Sequence, residues 1–166
     1  RYADGAAVPL PEAPAPTTLP ASVWISQAVP EWAQALREIA EMAGVAIESG
    51  SVPGPAALCI VTPLGADATS ACATQGLDPT RTVAIDCLLG TGTGRRCLMT
   101  TPLTSAAMRD AAHALFAADG TAVSVIRDSA GFVAQRNLAC IVNIGCDIAQ
   151  QRVAAPADID RAVTLG

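Results

Sequence analysis

Apolar residues recur along this chain in two rhythms, and the switches between them mark out its elements. Residues 22–26 (SVWIS) read as a strand. Pro30 and Glu31 open a helix running to about Ala43, with Trp32, Leu36, Ile39 and Met42 close to helical spacing, and Gly44 ends it. Residues 45–48 make a second short strand, and a strand-helix-strand order of this kind predicts a parallel sheet. Residues 56–61 (AALCIV) are apolar throughout, as expected of a strand covered on both faces. Asp67 is placed to cap an alanine-rich helix that ends near Gly76. Residues 82–89 (TVAIDCLL) predict another buried strand, and 95–101 (RRCLMTT) alternate like a strand, with 90–94 (GTGTG) as a hairpin connection. Thr104 or Ser105 caps a helix over 106–118 that Gly120 terminates, and 121–127 (TAVSVIR) alternate as the last strand.

The rhythm then changes for good. A small polar break at 128–131 leads into a long helical pattern from about Phe132 to Val153. Pro156 opens a further helix, with Asp158 and Asp160 near the positive end of its dipole. One long helix and one short one have no core of their own. Ile141, Val142, Ile144, Ile148 and Val153 therefore need covering, by the sheet domain or by a second copy. The expectation is a homodimer built on these helices through an isologous contact. At the other end, residues 1–20 hold five prolines among small residues and read as an extended linker. The expected division is 1–20, 21–127 and 128–166.

Composition narrows the picture further. Half the residues are hydrophobic (51%) but only 3% are aromatic, so alanine, valine, isoleucine and leucine must build the core. The net charge of −5 comes with no arginine or lysine cluster, which argues against a nucleic-acid partner. No apolar run is long enough to span a bilayer, and no signal-peptide pattern opens the chain. The six cysteines lack C-x-x-C spacing and mostly lie in apolar runs. They read as small buried hydrophobes in a reducing, cytoplasmic setting. His113 is the only histidine, so no metal site is expected.

The order Asp128, Ser129, Gly131, Phe132, Val133 and Arg136, then Asp158, Ile159, Asp160 and Gly166, resembles the opening of the C-terminal helical domain of the 3-hydroxyacyl-CoA dehydrogenase family. The resemblance implies an α/β fold: a reduced Rossmann-like, mostly parallel sheet with flanking helices, followed by the long-helix segment of an all-α domain. It also implies a parent polypeptide that oxidises 3-hydroxyacyl-CoA with NAD. Two departures stand inside the motif. Ala130 replaces a proline, and Gln135 replaces the asparagine that belongs to the family's catalytic site.

Laid against the family, the remaining site positions depart as well. Ser26, Ala28 and Glu31 stand where the phosphate-binding glycines of G-x-G-x-x-G would be, and a dinucleotide needs bare backbone there. Glu48 follows where the ribose-binding acid would stand, and reads better as a solvated strand-end carboxylate. Leu64 takes the place of the substrate-contacting serine. Ile85 or Asp86 falls at the general-base histidine, and Leu88 or Leu89 at the asparagine of the same strand. No acid lies at 97–100 to orient a base, so Asp86 is expected to be a hydrogen-bonded structural carboxylate. The GTGTG run with Arg95 and Arg96 imitates a phosphate loop, but no helix follows to supply a dipole. The expectation is therefore a non-catalytic repeat, holding no catalytic, cofactor-binding or metal-ligating residues of its own. NAD and acyl-CoA would belong to the parent enzyme, and this segment would serve packing and dimerisation, or pairing with a catalytic half. The alternative is a degenerate module that still binds CoA or a nucleotide, with Arg95 and Arg96 as anion contacts.

Overall fold

A computed structural model describes residues 15–92 and 94–165. The elements are β1 (Ser22–Ile25), α1 (Pro30–Met42), β2 (Ala46–Glu48), β3 (Leu58–Val61), α2 (Ala68–Thr74), β4 (Thr82–Ile85), β5 (Arg96–Thr100), α3 (Ala106–Ala117), β6 (Val123–Ile126), α4 (Val133–Gln150) and α5 (Pro156–Leu165). A 3-10 turn over Pro79–Arg81, absent from the sequence reading, leads into β4. One six-stranded sheet results, in the order β2-β1-β3-β4-β5-β6. Every neighbouring pair is parallel except β4 and β5, which the GTGTG connection turns antiparallel. The fold is Rossmann-like α/β. Of the expected linker, residues 1–14 lie outside the described residues, and 15–20 have no regular structure.

Alternation along the strands sorts side chains onto two faces. Val23, Ile25, Leu58, Ile60, Val83, Ile85 and Leu98 point to one face, where Leu36 and Ile39 of α1 meet Leu115 and Phe116 of α3. The residues between them carry the other face: Trp24, Ala57 and Cys59 form one patch, and Val61, Ala84 and Met99 join Ala68 of α2 and Phe132 in a second. Ala84 and Ala68 are small, which lets α2 approach closely, and Phe132 fills the remaining volume at zero exposure. The residue that starts the helical segment is thus bolted into the sheet's own core.

Three details differ from the sequence pattern. Met42 points to solvent at 72% exposure, because the face that α1 buries is that of Ala33, Leu36, Ile39 and Ala40. The fourth strand stops at Ile85 rather than continuing to Leu89. Asp86 donates one more ladder bond, from its N–H to the Cys97 carbonyl (3.0 Å), and the chain then turns away. Cys59, Cys72 and Cys87 are buried as expected and Cys97 is half-buried, but Cys140 and Cys146 are exposed on α4. Their apolar neighbours on α4 have no sheet to pack against.

Candidate functional site

In a sheet of this type ligands bind outside the carboxyl ends of the strands, where the strand order reverses. That place is the crest between β1 and β3, facing the N-terminus of α1. The Ser26 hydroxyl accepts from the Ala28 N–H (3.3 Å), and Gln27 folds back to donate to the Ile25 carbonyl (2.8 Å). Helix α1 begins on Val29, which offers no side-chain cap, with Pro30 lacking an N–H and Glu31 placing a carboxylate in the first turn. These residues do not fit a dinucleotide diphosphate. Side chains stand where bare backbone is required, and the charge has the wrong sign.

Glu48 is turned away from that crest. Its carboxylate accepts from Ser22 Oγ (2.8 Å), at the start of β1, and from the Gly54 N–H (2.6 Å). Those two bonds hold its acidity on the strong side of the ordinary carboxylate value. The expected solvated strand-end carboxylate is instead a brace for the turn between β2 and β3. Sequence reasoning missed this because Gly54 is brought beside Glu48 only by the return of the chain towards β3.

The family's other site positions do converge, on a different chemistry. Gln135, in the first turn of α4 and only 6% exposed, accepts from the Gly65 N–H (2.8 Å) through its amide oxygen. Its amide nitrogen donates to Asp86 Oδ1 (2.9 Å) and to the Pro63 carbonyl (3.3 Å). The Leu88 N–H also donates to Asp86 Oδ1 (3.2 Å). So the loop after β3, the residue after β4 and the start of α4 meet around one amide, and Leu64 in that loop points to solvent at 62% exposure. Asp86 is hydrogen-bonded, as expected of it, and its side-chain partner comes from 49 positions along the chain. No imidazole, acid pair or hydroxyl nucleophile is present in the cluster, which is made of an amide, a carboxylate and backbone.

The same joint engages the residues of the D-S-x-G-F-V signature. Asp128 Oδ1 accepts from the Ala68 N–H (2.8 Å), and its Oδ2 accepts from the Thr69 hydroxyl. It thereby shares the N-terminus of α2 with Asp67, which accepts from the Ser70 N–H (2.5 Å). Gly131 adopts φ +67° and donates to the Ala66 carbonyl (3.0 Å). Phe132 enters the core, and Gln135 closes the cluster. Asp128, Gly131, Phe132 and Gln135 form a four-point interlock between the helical segment and the loop over 63–69. Beyond it, the main packing partner of α4 is α5.

The two arginines after the glycine run, the second of which opens β5, take different partners. Arg96 is buried and committed. It forms an ion pair with Asp119 (2.7 Å) and donates to the Phe116 (2.6 Å) and Thr91 (2.9 Å) carbonyls. Arg96 holds the Asp119 carboxyl down to about 2. Arg95 donates to Ser124 Oγ (3.1 Å). Arg96 is committed to α3 and its flanking loop while Arg95 reaches Ser124 of β6, so the two do not form an anion clamp together.

Burial and the nearby Asp86 carboxylate push the Cys87 thiol up to about 12 and raise Cys97 in the same direction, which disfavours the thiolate at both. His113 is half-buried on α3, and no group of three or more potential ligands for a metal ion occurs among the described residues. No described helix is long and apolar enough to cross a membrane.

No family model matches the sequence, and no curated protein matches it. Solved structures do. FadB2 of M. tuberculosis aligns with TM-score 0.59 at 20% identity, over 86% of this chain and 48% of its own. The (S)-3-hydroxybutyryl-CoA dehydrogenase PaaH1 of Ralstonia eutropha aligns with TM-score 0.57 at 17% identity, over 81% of this chain and 45% of its own. The chain has the fold of the 3-hydroxyacyl-CoA dehydrogenases. A further match, at TM-score 0.59 and 15% identity over 85% of this chain and 60% of its own, is the NAD+-dependent dismutase 5-formyl-3-hydroxy-2-methylpyridine 4-carboxylic acid 5-dehydrogenase. This chain spans about half the length of the dehydrogenases it matches.

Proposed function

We propose that this chain is a non-catalytic Rossmann-like repeat of an NAD-dependent 3-hydroxyacyl-CoA dehydrogenase polypeptide, serving packing and pairing while hydride transfer is carried by another domain. On this reading residues 1–20 are a linker, 21–127 the Rossmann-like unit and 128–166 the start of a helical domain, in a cytoplasmic enzyme. The observation that carries it is the Gln135 cluster. Gln135 and Asp86, at two of the positions where the resemblance implies site residues, are bonded to each other and to the loop after β3, while Leu64, at the serine's place, points to solvent. Hydride transfer needs cofactor, base and substrate in one near-attack arrangement, and neither the α1 entrance nor this cluster supplies its share.

The direct test is NADH oxidation with acetoacetyl-CoA. No turnover above the enzyme-free rate is expected, and measurable turnover overturns the assignment.

The pairing role is supported by α4, where Ile141, Val142 and Ile144 are 52%, 56% and 58% exposed. Solvent-exposed apolar residues grouped in this way mark interaction surfaces. Light scattering should report a dimer at micromolar concentration, and Ile141→Asp should shift it to monomer. A wild-type monomer at that concentration removes the homodimer and leaves pairing with a catalytic half. The alternative, a module that binds CoA or a nucleotide, draws on the position of Arg95 beside an open cleft, without help from Arg96. Calorimetry with CoA and NADH separates it from a purely structural role.

A further inference from the structure

The sheet ends in β6, which has a neighbouring strand on one side only among the described residues. The bond from the Arg96 N–H to the Ala122 carbonyl (2.9 Å) fixes which residues turn their backbone towards β5. By alternation these are Ala122, Ser124 and Ile126, so the N–H and C=O groups of Val123 and Val125 point out of the sheet. No hydrogen bond between described residues reaches them there. Both flanking connections are tied back to the rest of the domain, Asp119 to Arg96 of β5 and Asp128 to the Ala68 N–H at the start of α2. The strand itself is half-buried along its whole length. Clefts of about 570 and 430 Å³ open beside it, one lined by Ser124, Ile126 and Val133 of α4, the other by Val123 and Ala117 of α3. An edge with outward amides and room for side chains to either side is the arrangement that accepts an added strand.

We propose that β6 pairs with β6 of a second copy of this chain, antiparallel and about a two-fold axis through Ser124, as a weak self-contact separate from the one on α4. The strand selects this occupant because it is self-complementary in that register. Val123 falls opposite the partner's Val125 on both sides of the axis, and each pair exchanges its N–H and C=O groups. Both valines pack on the α1 and α3 face of their own sheet, so across the axis they meet as β-branched neighbours on one apolar face. Ser124, at the axis, is small enough to face its own copy. Arg127 is exposed and has no ion pair among the described residues. It falls opposite the partner's Thr121, beside the turn that carries the partner's Asp119, whose side chain is 36% exposed. Opposite charges therefore meet at both ends of the paired strands. The proposal depends neither on the non-catalytic reading nor on the α4 contact.

The contact is small, which places its dissociation constant at about 0.1–1 mM. It is read in the full chain carrying Ile141→Asp, so that the α4 surface does not contribute. Sedimentation should show a monomer at about 20 µM and a dimer fraction near half at about 1 mM. Amide exchange at Val123 and Val125 should slow by about twofold over the same range, with no such change at the β1 and β3 amides. Val125→Pro deletes an outward N–H at a position from which β5 receives none, so the sheet keeps its ladder while the self-contact is lost. The exchange of these two amides in the unmodified chain at the two concentrations serves if a variant fails to fold. A monomer at about 1 mM, exchange at Val123 and Val125 that does not change with concentration, or undiminished association in a folded Val125→Pro each overturns the proposal. Full protection of the two amides already at about 20 µM would place a segment of the same chain on the edge, and overturns it as well.

Discussion

Replacing Gln135 with leucine keeps the volume of a buried side chain while deleting every polar bond it makes. The Gly65 N–H loses its acceptor at 2.8 Å, and Asp86 Oδ1 loses the donor at 2.9 Å, keeping only Leu88. The bond to the Pro63 carbonyl at 3.3 Å is longer and contributes least. A neutral hydrogen bond contributes about 1 kcal/mol net, and one to a charged group about 1.5–3 kcal/mol. Gly65 and Asp86 both reach solvent, so water recovers part of each loss, whereas the Pro63 carbonyl is buried. A net cost of about 2 kcal/mol follows, or roughly 4–8 °C in melting temperature for a chain of this size. The assay is the denaturant midpoint together with amide hydrogen exchange. Gly65 should lose its protection outright, because its only acceptor is gone, while the β3 and β4 amides should weaken only by the global change. Gln135→Asn, the residue of the resembling family, is one methylene shorter. It reaches Gly65 or Asp86 but not both, and should cost about half as much. A midpoint shift corresponding to less than about 0.5 kcal/mol, with Gly65 still protected, would refute the claim that this amide ties α4 to the sheet.

Three further outcomes are expected. Gly131→Ala puts a side chain at φ +67° with its Cβ 3.4 Å from Arg136 Cγ, and should cost about 1–2 kcal/mol in a denaturant titration. A cost near zero would mean the joint relaxes into another turn. Asp119 has a folded-state pKa of about 2 against an ordinary 3.8, so its pairing with Arg96 stabilises the fold above pH 3.8 and is lost as the pH falls through about 2. With the carboxylate about a third exposed, this amounts to about 1 kcal/mol. Asp119→Asn should flatten the stability profile over that window, and an unchanged acid limb counts against the ion pair. Under native conditions at pH 8, a thiol reagent should label Cys140 and Cys146 first, and reach Cys59, Cys72 and Cys87 only on unfolding. Fast labelling of Cys87 would contradict a thiol pushed up to about 12.

Much of the fold is readable from local rules. The apolar run at Leu58–Val61 and the alternation at Val123–Ile126 become strands because period-two patterns fit a pleated sheet. Asp67 and Ser105 cap α2 and α3 as their spacing requires, each accepting from an amide three residues on. The entrance to α1 announces in sequence that phosphate is unwelcome, since Pro30 and Glu31 act on the first turn by themselves. The strand that ends early at Ile85 was not readable. TVAIDCLL is apolar enough to continue, and only the antiparallel return of β5 decides where pairing stops.

What the sequence determined alone is therefore whatever depends on neighbours within a turn or two: element types, caps, the hairpin after β4, and the absence of a glycine cradle. The tertiary structure decided which distant groups share a site. It set Gln135 on Gly65 and Asp86, turned Glu48 onto Ser22 and Gly54, and gave Arg95 and Arg96 different partners. The reason is range. Backbone preferences and helix ends act over a few residues, whereas a hydrogen bond between positions 65 and 135 forms only after the sheet has brought both chain segments to the same edge.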